Sequence, residues 1–336
     1  MPPLQTLGFH HVTLVSRDAE RTRAFYADLL GLTLVKRTVN FDDPTAAHLY
    51  FGDFRGSPGT LLTFFEWPQL RRGRWGIGGV HHVALGVADA DALLRWKRRL
   101  SDAGVRVNGP LDRGYFHSLY FTDPDGQILE IATEGPGYAI DEAPDRLGER
   151  FIEPLPRRLP KGRNAREIAR ATHPEPVREI TAAMRLSGIH HISGITDDLD
   201  RAGTFYEQAL GLRLVKRTLN QDDGVTEHRF WARYDGAEVA PRSSWTLFGW
   251  SRTGRRSRPG AGLTHHVAFR ARNAEELDSW RERLLGLGIE VSPVTDRRYF
   301  QSIYFRAPDG VLVELATDGP GFGTGEAEEG ESRAPV

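Results

Sequence analysis

Four His-His dipeptides, His10-His11, His81-His82, His190-His191 and His265-His266, account for eight of the chain's 12 histidines. Each opens a short apolar run: HHVTLV, HHVALGV, HHISGI and HHVAF. Behind the second and fourth runs, 48 residues after the second histidine of the pair, a lone acid stands inside another apolar run. These acids are Glu130 in QILEIAT and Glu314 in VLVELAT. Two neutral imidazoles and one carboxylate suit a divalent first-row metal and leave about three coordination positions open. A metal that must take dioxygen and a chelating substrate together needs that vacancy. Strand side chains alternate faces, so only one member of each pair can reach a common interior. An unpaired carboxylate in VLVELAT would be costly to bury, and a metal is its simplest partner.

The elements that must position these residues repeat at two levels. FYADLLGLTLVKRTVNFDD (25–43) matches FYEQALGLRLVKRTLNQDD (205–223) at an offset of 180, which His48 and His228 keep. DRGYFHSLYFTDPDGQILEIATEGPGY matches DRRYFQSIYFRAPDGVLVELATDGPGF at an offset of 184. The chain is therefore two halves of two modules. In each module an HH-led strand precedes a stretch with apolar residues at helical spacing, as at Ala24, Phe25 and Leu29 before Gly31, and then three strands parted by turn residues. The grammar is βαβββ. It divides the chain into 7–137, a Pro/Arg/Glu-rich linker 138–185 with one helix over NAREIARAT, 186–322, and a tail 323–336 expected to be disordered.

Composition narrows the function. With 44 Lys+Arg against 45 Asp+Glu there is no electrostatic case for nucleic acid or an anionic membrane surface. The absence of cysteine removes disulfides, thiolate metal sites and a cysteine nucleophile together. No apolar stretch approaches membrane-spanning length, and MPPLQTLGFHH does not read as a secretory signal. The expectation is a soluble, cytoplasmic protein whose metal sits on His and carboxylate.

FHHVT (9–13), LVKRT (34–38), HLYF (48–51), GSPGT (56–60), THHVAF (264–269), DRRYFQSIYF (296–305) and GVLVELATDGPGF (310–322) carry a resemblance over nearly all of both halves. The chain resembles the vicinal-oxygen-chelate superfamily and, within it, the hydroquinone ring-cleaving dioxygenases (PcpA/LinE-like, MhqO-like). The resemblance implies an α+β fold, four βαβββ modules in two domains forming open β-barrels. It implies Fe(II), with Mn(II) as the substitute ion, on His11, His266 and Glu314. It also implies that His10, Thr13, His265, Arg297 and Tyr304 serve catalysis: the tyrosine and leading histidines in proton transfer and phenolate hydrogen bonding, the arginine against developing negative charge. The expected activity is extradiol-type ring opening of a hydroquinone or catechol-type diol by O2, and a homo-oligomer is left open.

Several points stay open at the level of sequence. Arg298 stands where module 2 has Gly114, so either Arg297 or Arg298 could point inward. His82, Glu130 and His191 duplicate the ligand set. Pairing modules first with fourth gives {His11, His266, Glu314} and {His191, His82, Glu130}, while pairing neighbours gives {His11, His82, Glu130} and {His191, His266, Glu314}. The resemblance favours the former. A glyoxalase-type isomerase shares the fold but uses a fourth, acidic ligand. Here Thr63 and Thr246 occupy the matching positions, and nearby Glu66 is the residue that could upset that argument. A sequestering protein of the bleomycin-resistance kind would bind in the same cleft without metal. His48, His228 and Tyr120 read more readily as structural.

Overall fold

The structure, a computed structural model, describes residues 4–323. The expected tail thus lies outside the described residues except for Gly323. All four modules follow the βαβββ grammar. Module 1 runs β1 (Phe9–Ser16), α1 (Ala19–Arg23), β2 (Thr33–Val39), β3 (Ala47–Gly52) and β4 (Leu61–Glu66). Module 2 runs β5 (Val80–Val87), α2 (Ala90–Asp102), β6 (Asn108–Asp112), β7 (His117–Thr122) and β8 (Ile128–Thr133). The stretch between halves holds β9 (Phe151–Ile152) and α3 (Ala165–Arg170), the latter within NAREIARAT. Module 3 supplies β10 (Ile189–Thr196), α4 (Leu199–Leu210), β11 (Arg213–Leu219), β12 (Glu227–Ala232) and β13 (Ser244–Gly249). Module 4 supplies β14 (Thr264–Ala271), α5 (Ala274–Gly286), β15 (Thr295–Asp296), β16 (Phe300–Arg306) and β17 (Leu312–Pro320).

Helix starts are set locally. Each module helix begins on an acid or amide whose side chain accepts a first-turn backbone N–H: Asp18 from Arg21 (2.9 Å), Asp89 from Ala92 (2.9 Å), Asp198 from Arg201 (3.0 Å) and Asn273 from Glu276 (2.9 Å). In module 1 the helix expected to run on to Gly31 widens into a π-helical turn over Ala24–Leu29, and both Phe25 and Tyr26 are buried. Gly31 (φ 72°) and Gly211 (φ 68°) then take the left-handed conformation that ends these helices.

The modules assemble as two curled mixed sheets, each drawing on both halves of the chain. One has the order β15-β16-β17-β14-β1-β4-β3-β2, joining modules 4 and 1. The other has β6-β7-β8-β5-β10-β13-β12-β11-β9, joining modules 2 and 3. The seams are antiparallel, β1 on β14 and β5 on β10. The sequence halves 7–137 and 186–322 therefore do not coincide with the sheets. β1 is buried along its whole length because both faces are covered. Val12 and Leu14 join a core with Tyr26, Phe64 and Trp280, while His11 and Thr13 take the opposite, concave face. No helix among the described residues is long and apolar enough to cross a membrane.

Candidate metal centre

Strand register brings the three ligand candidates together. On the seam Thr13 lies opposite His266, and His11 opposite Ala268. Ala268 in turn lies opposite Glu314 on β17, and Glu314 opposite Tyr304 on β16. Residues paired in register share a face, so His11, His266 and Glu314 surround Ala268 on the concave side. A methyl group at that position leaves room for three larger side chains to converge above it.

Their donor atoms lie within 4.8 Å of one another, and all three residues are buried. Glu314 Oε2 is 3.1 Å from His11 Nε2 and 2.9 Å from His266 Nε2, and the two Nε2 atoms are 3.2 Å apart. The Tyr304 hydroxyl donates to Glu314 Oε1 at 2.9 Å, but Oε2 has no hydrogen-bond partner. A buried carboxylate oxygen left orphaned between two imidazole nitrogens is costly unless a cation completes it. The residues fit a divalent metal on that ground, and the two-His, one-Glu donor set suits it. Burial alone would push the Glu314 carboxyl up; the adjacent imidazoles outweigh it and hold it well below its usual range.

The leading histidines stand behind the two candidate ligand imidazoles. His10 Nδ1 lies 2.9 Å from His11 Nδ1, and His265 Nδ1 lies 2.8 Å from His266 Nδ1. Burial, reinforced by the neighbouring imidazole, pushes both leading histidines down to about 3, so they are neutral and can accept there. With a metal bound, His11 and His266 would donate from Nδ1 to these histidines and present Nε2 to the ion. His10 lies behind the cavity wall, bonded to the Thr317 backbone, whereas His265 lines the cavity.

Above the donors opens a cavity of about 420 Å³, with Phe65, Trp67 and Phe300 among its walls. Arg297 faces it, paired with Asp42 at 3.0 Å and set 5.2 Å over the Tyr304 ring. Burial opposes its charge, but Asp42, Tyr304 and Glu314 together keep its pKa raised. Arg298 is exposed and takes φ 68°, in the left-handed region where its counterpart Gly114 has φ 89°. The inward arginine is Arg297. Thr13, fully buried, bonds His266 Nε2 at 2.9 Å and Thr63 Oγ1 at 2.8 Å.

The Glyoxalase/Bleomycin resistance protein/Dioxygenase superfamily model matches residues 8–131 and 188–315. The chain belongs to this superfamily. It is 32% identical over 321 residues to MhqA of Bacillus subtilis, named as a ring-cleaving dioxygenase, covering 94% of this chain and 88% of MhqA. It is 27% identical to the chlorohydroquinone/hydroquinone 1,2-dioxygenase of Sphingobium indicum, over 94% of this chain and 86% of that one. A crystal structure titled as a dioxygenase from Bacillus subtilis superposes with a TM-score of 0.75 at 30% identity, covering 96% of this chain and 88% of that one. Glyoxalase I from Zea mays, at 17% identity and a TM-score of 0.59, shares the fold.

By register Thr63 and Thr246 take the positions that Glu314 and Glu130 hold in the paired modules. Thr63 lies beside the centre, opposite Thr13 and Tyr50 in register. Glu66 points elsewhere: its Oε1 accepts the Ala19 backbone N–H at 2.7 Å, at the start of α1. His48, read from sequence as structural, lines the cavity. The Tyr50 hydroxyl meets His48 Nδ1 at 2.8 Å, and His48 Nε2 meets Thr63 Oγ1 at 3.0 Å. Tyr50, His48, Thr63, Thr13 and His266 therefore form one unbroken hydrogen-bonded chain. The sequence signal for His48 was its repeat at His228; Tyr50 has Phe230 as its counterpart and gave none.

Proposed function

We propose that this superfamily member is an Fe(II)-dependent, extradiol-type ring-cleaving dioxygenase acting on a hydroquinone or catechol-type aromatic diol, with Mn(II) as the substitute ion and the cytoplasm as its location. The observation that carries the reading is the buried Glu314 Oε2, without a hydrogen-bond partner, facing two imidazole Nε2 atoms beneath an aromatic-walled cavity of about 420 Å³. Its ring-cleaving relatives support the substrate class.

His11, His266 and Glu314 would hold the ion, which when bound supplies Lewis acidity toward a diol oxygen and a redox partner for dioxygen. The remaining roles belong to the protein. Phe65, Trp67 and Phe300 flank the ring and restrict water. Neutral His265, accepting at Nδ1, carries its proton on Nε2 and offers a hydrogen bond to a phenolate oxygen. The Arg297 guanidinium stabilises negative charge developing on the ring. Tyr304 holds Glu314 in place, and burial and the carboxylate keep its own phenol protonated. His10 positions His11 without touching substrate.

The test is metal analysis followed by anaerobic iron reconstitution and O2 uptake with methylhydroquinone and catechol. Uptake with ring-opened product supports the reading. Isomerisation of a hemithioacetal in its place, or ligand binding without turnover, overturns it.

A further inference from the structure

A second donor set lies in the other sheet, and the proposed dioxygenase reaction makes no use of it. His82, Glu130 and His191 are buried, with donor atoms inside the same 4.8 Å limit. His82 Nε2 is 3.0 Å and His191 Nε2 3.3 Å from Glu130 Oε2, and the two nitrogens are 3.2 Å apart. Each ligand imidazole is again set from behind, His82 by His81 and His191 by His190, both at 2.8 Å between Nδ1 atoms. Register repeats too: His191 lies opposite Ala84, and Ala84 opposite Glu130, so an alanine again floors the convergence point.

We infer that His82, Glu130 and His191 form a second divalent-metal site, so that each chain takes two metal ions in two separately walled cavities. The decisive observation is Glu130. It is completely buried, and neither Oε1 nor Oε2 has a hydrogen-bond partner. At the first site Tyr304 already engages one carboxylate oxygen; here no hydroxyl does, and Oε2 meets only the two imidazole nitrogens. A fully buried carboxylate with no hydrogen-bond partner, with two imidazole Nε2 atoms converging on one of its oxygens, is a stable arrangement with a cation and an expensive one without. The set also opens on a cavity of its own, about 370 Å³, which holds the counterparts of the first site's inward arginine and its carboxylate. Arg113 pairs with Asp222 through two hydrogen bonds, 3.1 and 2.8 Å, and lies 4.9 Å over the Tyr120 ring. The walls differ, with Gln221 in place of Phe41 and with Trp75 and Tyr115 added; behind them Phe230 stands for Tyr50, so the hydrogen-bonded chain through Thr246 and His228 ends at His228. The second ion thus has an equivalent cage and a different proton environment.

The full-length chain, stripped with chelator, is titrated with Mn(II) alone while free Mn(II) is followed by electron paramagnetic resonance and the protein-bound metal is counted by mass spectrometry. The wild type is expected to bind two equivalents, Glu130→Gln one, Glu314→Gln one, and the double variant none. A wild type that binds one equivalent, unchanged in Glu130→Gln, overturns the inference. So does a second equivalent that survives Glu130→Gln. Should Glu130→Gln not fold, anomalous diffraction at the manganese edge from wild-type crystals decides: a peak among His82, Glu130 and His191 supports the site, and its absence with a peak at Glu314 overturns it. No substrate is involved, so failure here is separable from failure of the dioxygenase assay.

Discussion

Tyr304 and Glu314 face each other across β16 and β17, joined by a 2.9 Å hydrogen bond to one carboxylate oxygen while the other turns to His11 and His266. The bond restricts the carboxylate to a single free oxygen. Tyr304→Phe is expected to loosen that orientation and weaken metal affinity by about 10-fold, with a fall in kcat of roughly 100-fold. Glu314→Gln should remove the metal from this site and reduce ring cleavage to background. Metal titration beside O2 uptake separates the two, because an equal loss of metal in both variants would deny Tyr304 any role beyond ligation.

His10→Ala leaves the cavity wall untouched but frees His11 to adopt either tautomer. Metal affinity at this site should drop by 10- to 100-fold, while substrate KM measured at saturating metal stays near that of the wild type. His10→Gln, which can still accept a hydrogen bond, should recover part of the loss. An unaltered metal affinity in His10→Ala would remove the tautomer argument.

Ala268 sits between His11 and Glu314 in register, fully buried. Ala268→Leu is expected to wedge the donors apart, costing about 1–3 kcal/mol in stability and most of the metal binding. Thermal unfolding with and without Mn(II) reads both effects. A variant that binds metal normally would show that the centre does not depend on a small residue at its floor.

Asp309 and Asp123 are buried acids whose pKa burial pushes up to about 6. Each folded-state value exceeds the unfolded one, near 3.9, so the folded chain binds more protons between about pH 4 and 6. The contribution to stability is fully present below the unfolded value and is lost as pH rises through the folded one. Asp309→Asn should therefore be more stable than wild type at pH 8, by up to roughly 3 kcal/mol, with the difference shrinking toward pH 4. Denaturant titrations at four pH values check the sign.

Much of this site could be read in the chain, and particular residues show where that stopped. The four HH pairs and the acids Glu130 and Glu314 stand out because the module repeat sets them in apolar strand runs, while the grouping of His11, His266 and Glu314 rests on the family resemblance. Which modules would share a sheet was not legible. The β1–β14 and β5–β10 seams join strands with similar apolar patterns, and both pairings bury the same side chains. Asp42, paired with Arg297 across the cavity mouth, sits in a loop with no periodicity to reveal it. The π-helical turn at Ala24–Leu29 has the same apolar spacing as an ordinary helix.

Because each donor set spans both halves, residues 1–160 alone should bind no metal at either site. Cutting the full chain between Pro160 and Lys161, where both residues are exposed, should leave metal binding intact, since the sheets and not the connection hold the halves together. Size-exclusion chromatography of the nicked protein, with metal counts on the peak, tests it. Dissociation into halves would contradict the seam.

The nesting of one sheet's strands inside the other's imposes an order on biosynthesis. His82, Glu130 and His191 have all been polymerised before the ribosome begins β14, whereas His11 must wait for Glu314, another 123 residues after His191. At about 5–20 residues per second that interval is roughly 6–25 s. Throughout it β1 is paired with β4 alone and its other edge lacks β14, so chaperone shielding or early closure of the inner sheet matters most there.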